Sequence, residues 1–250
     1  MTIAAIIPAR FGSSRFPGKP LALIAGRPLI ERVYARASLA RLVDEVWVAT
    51  DDERIAAVVR GVGGRTVMTS SAAASGTDRI AEALATVKAD IVINVQGDEP
   101  LIDPRAIDLA AQALLDDPAL EAATLSYPIA SRAEFLRPDV VKVVVDAGGH
   151  ALYFSRAPIP HGTPEGGPWG SKHLGLYAYR RELVAAFAGW ARTPLESSES
   201  LEQLRLLEHG VRLRVLAAPS DSHAVDRPED VAAVEAILEG TNDNKISPAR

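Results

Sequence analysis

The chain has 250 residues, with 27 Lys and Arg against 32 Asp and Glu, a formal net charge of −5, and no cysteine. That length can bury a sizeable core without covalent staples, and the lack of cysteine excludes disulfides, thiolate zinc sites, iron–sulfur clusters and a cysteine nucleophile. A net negative charge has the wrong sign for a nucleic-acid partner, no apolar run reaches the roughly 20 residues that span a bilayer, and the N-terminus carries no signal-peptide pattern; the expectation is a cytoplasmic protein that acts on small molecules and does not engage a membrane.

Residues 3–8 (IAAIIP), 45–50 (EVWVAT) and 90–100 (DIVINVQGDEP) are short apolar runs that end in polar, Gly- or Pro-marked loops, as strands buried on both faces do. Helical periods fill the intervals: Leu29, Val33 and Ala37 fall four apart within 28–40, and Ile55, Val58 and Val59 share a face within 52–62. Alternation of this kind over the first 120 residues predicts a Rossmann-like, mainly parallel sheet flanked by helices. A further helix is predicted over 79–87, with Thr77 or Asp78 as its N-cap.

Beyond residue 120 the rhythm changes. ATLSYPI, VVKVVVD and ALYFSRAPIP read as strands, with residues 146–149 as a hairpin turn between the last two, so a mixed or antiparallel second half is expected. Residues 158–172 hold four Pro and four Gly, too many breakers for a regular element, and read as a mobile surface loop. HLGLYAYRR returns as a strand, 198–208 reads as one helix, VRLRVLAA as an edge-type strand, and 228–238 as a last helix preceded by Asp226 at its N-cap position. The expected organisation is one domain over 1–240, split into a nucleotide-binding half (1–120) and a second half (121–240), with 241–250 a polar tail.

In a parallel α/β sheet, ligands bind beyond the carboxyl ends of the strands. After the first strand comes Ala9-Arg10-Phe11-Gly12-Ser13-Ser14-Arg15-Phe16-Pro17-Gly18-Lys19-Pro20, which offers backbone N–H groups and fixed cations to a polyphosphate. It is not a Walker loop: five residues separate Gly12 from Gly18, and Pro20 stands where the metal-holding Ser or Thr would be. Arginine is common in this chain, but Lys19 is one of only five lysines, which favours a phosphate role for it over a solvated loop. After the third strand, Asp98 is a candidate Mg²⁺ ligand, because the hard ion takes oxygen donors at such strand ends; a turn or cap is its plainer role, and Glu99 reads as a turn residue. Ser75 and Arg79 could meet a nucleobase. Asp226 joins a metal site only if the fold brings it to Asp98. Arg156 could grip a carboxylate with its planar fork, and His173 could bind a hydroxyl or cap a sheet edge. Glu202 and Gln203 lie on a helix whose leucines face the core. Ser13 and Ser14 have no evident His–Asp support as nucleophiles.

Taken together, IIPARFGSSRFPGKPL, VATD, SGTDRIAE, VNVQGDEP, VKVVVD, ALYFSRAPIP, KHLGLYAYRR, PLESSESLEQLRLLEHG and AVDRPEDV resemble the 3-deoxy-manno-octulosonate cytidylyltransferase family of the sugar nucleotidyltransferase superfamily, nearly collinearly over residues 3–238. The resemblance implies transfer of CMP from CTP to the anomeric hydroxyl of an eight-carbon acid sugar, with release of pyrophosphate, in lipopolysaccharide synthesis. It further implies that Arg10 and Lys19 serve the phosphates, that Asp98 and Asp226 together hold Mg²⁺, and that Ala9, Ser75 and Arg79 lie near the nucleotide. It places Gln96 between the substrates, sets Arg156, His173, Tyr177, Glu202 and Gln203 around the sugar, and points to a homodimer formed through the second half, where Leu152-Tyr153-Phe154 and Leu176-Tyr177-Ala178-Tyr179 give an apolar surplus. A cytidylyltransferase for a sialic-type or amino-substituted acid sugar would keep the same nucleotide loop and both aspartates. A catalytically inactive nucleotide-binding protein would be expected to have lost Asp98, Asp226 or Lys19, and all three are present.

Overall fold

A computed structural model of the chain describes residues 1–12, 15–73, 75–162 and 168–240. The first half runs β1 (Ile3–Ala9), a two-stranded ribbon of β2 (Leu23–Ile24) and β3 (Arg27–Pro28), α1 (Leu29–Ala37), β4 (Glu45–Thr50), α2 (Glu53–Gly61), β5 (Arg65–Met68), α3 (Gly76–Ala83), β6 (Ile91–Asn94) and α4 (Pro104–Asp116). The second half contributes β7 (Ala122–Pro128), α5 (Arg132–Phe135), β8 (Lys142–Val145), β9 (Ala151–Ser155), β10 (Ser171–Arg180), α6 (Arg181–Gly189), α7 (Pro194–Glu199), α8 (Leu204–Glu208), β11 (Leu213–Ala217) and α9 (Asp230–Gly240).

One sheet runs through both halves in the order β11-β7-β10-β6-β1-β4-β5, with the β8–β9 hairpin joined to the outer end of β10. β6, β1, β4 and β5 are mutually parallel, β10 is antiparallel to both β6 and β7, and β11 is parallel to β7. The expected parallel first half and mixed second half are both present. Alternate residues of β1 serve opposite faces: Ile3, Ala5 and Ile7 pack with α1, α2, α4 and α9, while Ala4 and Ile6 pack with α3, α6 and α8. Burial on both faces is why the strand is apolar throughout, and each fully buried Ile is worth about 2–3 kcal/mol. From β1 the chain proceeds to β4 and β5 on one side and then crosses to β6 on the other, so the strand order reverses between β1 and β6. A crevice opens at such a reversal, beyond the carboxyl ends of the two strands.

Four local expectations are corrected. The single helix over 198–208 is two short helices, α7 and α8, because Ser200 adopts a left-handed conformation (φ 53°) and ends α7 there. Glu202 and Gln203 therefore lie in the break between helices. The N-cap of α3 is Ser75, not Thr77 or Asp78: its hydroxyl accepts the Asp78 N–H at 3.1 Å, and the helix starts at Gly76. Asp226 does not cap the last helix, which starts only at Asp230. The capping is reversed, with the Asp230 carboxylate accepting the N–H groups of Asp226 and Arg227. Finally, the Pro- and Gly-rich stretch gives way to β10 at Ser171, before its expected end; residues 163–167, the tail 241–250, Ser13 and Ser14 lie outside the described residues. Among the described residues no helix is long and apolar enough to cross a membrane.

Candidate active site

The crevice between β1 and β6 is floored by backbone. A Cβ on Gly97 would meet the Pro8 carbonyl at 2.7 Å, so the loop after β6 lies directly on the end of β1 and no side chain fits between them. Gly18, at φ +71°, turns the Arg10–Lys19 loop into a single 3₁₀ turn (Lys19–Leu21), which delivers the Lys19 side chain back toward that floor. Its ammonium donates to Asp98 Oδ2 at 2.8 Å and lies 3.7 Å from Asp226 Oδ1; Arg15 pairs with Asp226 from the other side. The Val225 N–H donates to the Asp98 carbonyl at 2.8 Å, so the segment carrying Asp226 is tied by main chain to the segment carrying Asp98. Two carboxylates 128 positions apart in sequence thus meet at one cation. Lys19 is 15% exposed against 29% and 38% for the two acids, so the lysine sits behind and the carboxylates face outward.

Around this pair lies a cleft lined by Ala9, Arg10, Arg15, Lys19, Ser75, Gly76, Arg79, Gln96, Gly97, Asp98 and Asp226 among others. It therefore gathers every residue assigned from sequence to phosphate, nucleotide or metal. Arg10 is exposed at its rim, and the N-terminus of α3 opens onto it through Ser75 and Gly76, a favourable end for negative charge. Arg79 differs from expectation. Its guanidinium is buried and already committed, to Thr69 Oγ1 at 2.5 Å, the Ser70 carbonyl at 3.3 Å and Asp51 Oδ2 at 3.1 Å, so it braces the 69–70 segment behind the cleft.

A second, larger cavity adjoins the first and shares Gln96 and Asp98 with it; Glu99, Arg137, Arg156, Lys172, His173 and Asp221 lie on its wall. A third is lined by Asn94, Gln96, Gly175, Tyr177, Glu202 and Gln203. The residues assigned to a sugar are therefore split: Arg156 and His173 face one cavity, Tyr177, Glu202 and Gln203 the other, and Gln96 belongs to all three. Gln96 is held there by a β-bulge. The β10 register slips between Leu174 and Tyr177, and the Gln96 amide donates to the Gly175 carbonyl at 2.9 Å, where a side chain at 175 would crowd it.

Burial sets the protonation states on this side. The His173 imidazole, packed edge-on to Phe154 and against Tyr177, is pushed down to about 3 by desolvation and is neutral at physiological pH. The Thr124 hydroxyl spends its one proton on the Leu176 carbonyl at 2.8 Å, so the Nε2 of His173, 3.0 Å from that hydroxyl, is assigned as an N–H donor to it. His173 thus pins β10 to β7 within the sheet and does not cap an edge. Desolvation also raises Glu202, against the opposing hydrogen bond donated by Ser75 at 2.6 Å, and holds Tyr177 well above the ordinary phenol range. Arg156 is not an open fork: its Nε donates to the Glu199 carbonyl at 2.8 Å and its terminal nitrogens to the Pro138 and Ser200 carbonyls at 3.1 and 3.3 Å.

Three contributors escaped the sequence reading. Glu99 is no mere turn residue: burial drives its carboxyl up to about 7, against a 2.5 Å hydrogen bond from Ser222 Oγ that works to lower it, with Asp98 and Asp221 pushing the same way as burial. Lys172 bridges Glu134 and Asp221 at 2.5 and 2.7 Å. Arg15 pairs with Asp226. Lys172 had a signal, since it is another of the five lysines; Glu99 and Arg15 had none that separated them from loop residues.

A strand-order reversal, a cationic loop and a helix N-terminus converging on one cleft, with acid-bearing cavities beside it, define a nucleotide-using α/β enzyme of the nucleotidyltransferase class. The chain belongs to the cytidylyltransferase family, whose profile matches residues 4–213. It is 50% identical over 249 residues to the 3-deoxy-manno-octulosonate cytidylyltransferase of Syntrophotalea carbinolica, covering 96% of this chain and all of that one. It is also 51% identical over 242 residues to an 8-amino-3,8-dideoxy-manno-octulosonate cytidylyltransferase from a Shewanella species, covering 95% and 99%. Among solved structures, a CMP:2-keto-3-deoxy-manno-octonic acid synthetase complexed with CTP superposes with a TM-score of 0.91 at 45% identity, over 96% of this chain and 99% of that one.

Proposed function

We propose that this enzyme transfers CMP from CTP to the anomeric hydroxyl of 3-deoxy-manno-octulosonate and releases pyrophosphate, supplying activated sugar for lipopolysaccharide assembly. The observation that carries the reading is the position of Asp98 and Gln96 on the shared wall of the cleft and the larger cavity, so that one substrate can be held on each side of them. The relatives named above supply the substrates.

In the reaction the acceptor hydroxyl gives up its proton to solvent water, its oxygen forms a bond to the α-phosphorus, the bond from that phosphorus to the bridging oxygen breaks, and pyrophosphate leaves with the electron pair. Catalysis of this kind rests on alignment and on charge stabilisation. Arg10, Lys19 and the α3 N-terminus bind the triphosphate, Ala9 and Ser75 border the nucleotide, and Arg79 keeps the 69–70 segment in place behind it. Gln96 separates the substrates, while Arg156, His173, Tyr177, Glu202 and Gln203 border the acceptor. His173 is too weakly basic to take the acceptor proton at neutral pH.

The donor chemistry at the junction fits Mg²⁺: two carboxylates, already drawn to one ammonium, form an all-oxygen pair that leaves other positions to water and phosphate. Among the described residues no group of three or more such side chains competes for it. Asp98 and Asp226 would hold the ion, and when bound it supplies Lewis-acid neutralisation of phosphate charge.

A homodimer through the second half is part of the proposal. The apolar surplus expected from sequence is largely this chain's own core, since Phe154, Leu176, Tyr177 and Tyr179 are buried. Support comes instead from Leu152 and Val145, exposed on the β8–β9 hairpin. Light scattering at micromolar concentration should give twice the chain mass.

Pyrophosphate release should be measured for each of the four nucleoside triphosphates with 3-deoxy-manno-octulosonate, its 8-amino analogue and a sialic-type acid sugar. Turnover confined to CTP and the first sugar is expected. Preference for either other sugar would move the assignment to a sibling enzyme, and no turnover with any of them would overturn it.

A further inference from the structure

Lys142 opens β8 and is fully buried, yet among the described residues its ammonium bonds to carbonyls and to no carboxylate, the charges of Asp139 and Glu199 acting on it only at longer range. Its three ammonium protons are spent on main chain: the carbonyls of Arg137 at 2.9 Å, Val140 at 2.6 Å and Arg156 at 2.5 Å. Burying a charge for this purpose costs more than a methionine would, so these bonds have to repay a desolvation penalty. What they accomplish is a junction, because Arg137–Val140 follows α5 whereas Arg156 leaves β9.

Glu199, at the end of α7, holds the same junction from the opposite side. One carboxylate oxygen accepts Ser155 Oγ at 2.6 Å and the other accepts the Arg156 N–H at 2.9 Å. The Arg156 peptide is thereby fixed at its carbonyl by Lys142 and at its amide by Glu199. Its guanidinium then binds the Pro138, Glu199 and Ser200 carbonyls, and Ser200 is the left-handed residue from which the chain turns to present Glu202 and Gln203. Neither Lys142 nor Glu199 lines any of the three cavities described above, but Arg137, Val140 and Arg156 line the larger one and Glu202 and Gln203 the one beside it.

We infer that Lys142 and Glu199 are positioning residues for the acid-sugar acceptor, clamping the Arg156 peptide so that the walls of both acceptor cavities keep one geometry. The inference rests on reading those cavities as the sugar side. The nucleotide cleft shares none of the three clamped segments, so the effect is selective for one substrate.

Lys142→Met and Glu199→Gln should be made in the full chain, checked for folding by circular dichroism and thermal melting, and assayed with CTP and 3-deoxy-manno-octulosonate varied in turn. Glu199→Gln keeps the shape but puts an amide where one of two acceptor oxygens is used, and Glu199 is only half-buried, so it keeps the test decisive should Lys142→Met fail to fold. The expected result is a KM for the sugar raised about tenfold or more with a KM for CTP changed less than about twofold. A purely structural role would lower the melting temperature and leave both constants of the folded enzyme unmoved, and folded variants with both KM values unchanged would overturn the inference. Wild-type enzyme inactive with every acid sugar would instead overturn the reading of the cavities.

Discussion

The two sides of the proposed active site are built by different means. On the nucleotide side the main chain does most of the positioning: two strand ends in direct contact at Gly97, a helix N-terminus at Gly76, and a carboxylate pair gathered by one lysine. On the acceptor side the groups come from a bulged strand, a broken helix and the exit of a hairpin, held in register by Lys142, Arg156 and Lys172 as internal cationic ties. A site made of strand ends inherits its precision from the sheet. One made from separate segments needs its own braces, so its geometry should be the easier to disturb without loss of fold.

The sharpest way to break this contrast is at the junction the two sides share. Asp98→Asn should leave the fold intact and lower kcat by at least about a hundredfold, since loss of charge stabilisation at a metal site costs several kcal/mol. Asp226→Asn should do the same, and the double variant should be little worse than either, because both would serve one ion. Retention of wild-type activity at limiting Mg²⁺ by either single variant would remove that residue from the metal site.

Lys19→Ala approaches that junction from the nucleotide side. A cation on the triphosphate gains importance as charge moves to the leaving pyrophosphate, and the expected loss is about 2–4 kcal/mol of transition-state stabilisation, read as kcat/KM for CTP. The variant also leaves two neighbouring carboxylates without their ammonium, so its Mg²⁺ requirement should change with it. An unchanged kcat/KM would reduce Lys19 to a structural bridge.

Arg156→Lys is the counterpart on the acceptor side. Lysine keeps the charge but cannot reach three carbonyls with a planar fork, so the sugar KM should rise about tenfold while CTP is little affected. Equal effects on both substrates would mean that the two sides are one mechanical unit, contrary to the comparison drawn above.

The same contrast governs what could be read from sequence. β1, β4 and their flanking helices were legible because burial on both faces leaves unbroken apolar runs, and the cleft followed from the rule that ligands sit at strand ends. Lys19 stood out by rarity. The pairing of Asp98 with Asp226 was not legible from spacing, since it depends on the Val225–Asp98 main-chain bond between distant segments; family resemblance supplied it. The break at Ser200 was hidden because Leu201, Leu204 and Leu207 keep a helical spacing across it, and a left-handed serine leaves no mark in composition. Arg156 was legible as important but not in its bonding, which is to carbonyls that carry no sequence signature. Glu99 looked like a turn residue because nothing local shows that Ser222 bonds to it and Asp221 lies near it.

The smallest expected effect concerns His173 and separates its place in the sheet from any part in proton transfer. Its imidazole titrates near 3 in the folded chain against 6.5 when unfolded, because burial disfavours the charged ring. Between those values the unfolded state binds the extra proton, so the contribution to stability is complete above pH 6.5 and is lost as pH falls toward 3, at about 1.4 kcal/mol per pH unit. His173→Gln removes the titrating group and keeps a donor for Thr124 Oγ1, so its unfolding free energy in urea should fall less steeply than wild type between pH 6 and pH 4.5 by about that slope. Parallel curves for the two proteins would show that His173 is accessible to protons in the folded state. It would then be a candidate for acid–base work, and the activity profile of the wild type should bend near pH 6.5, which a histidine buried neutral would not produce.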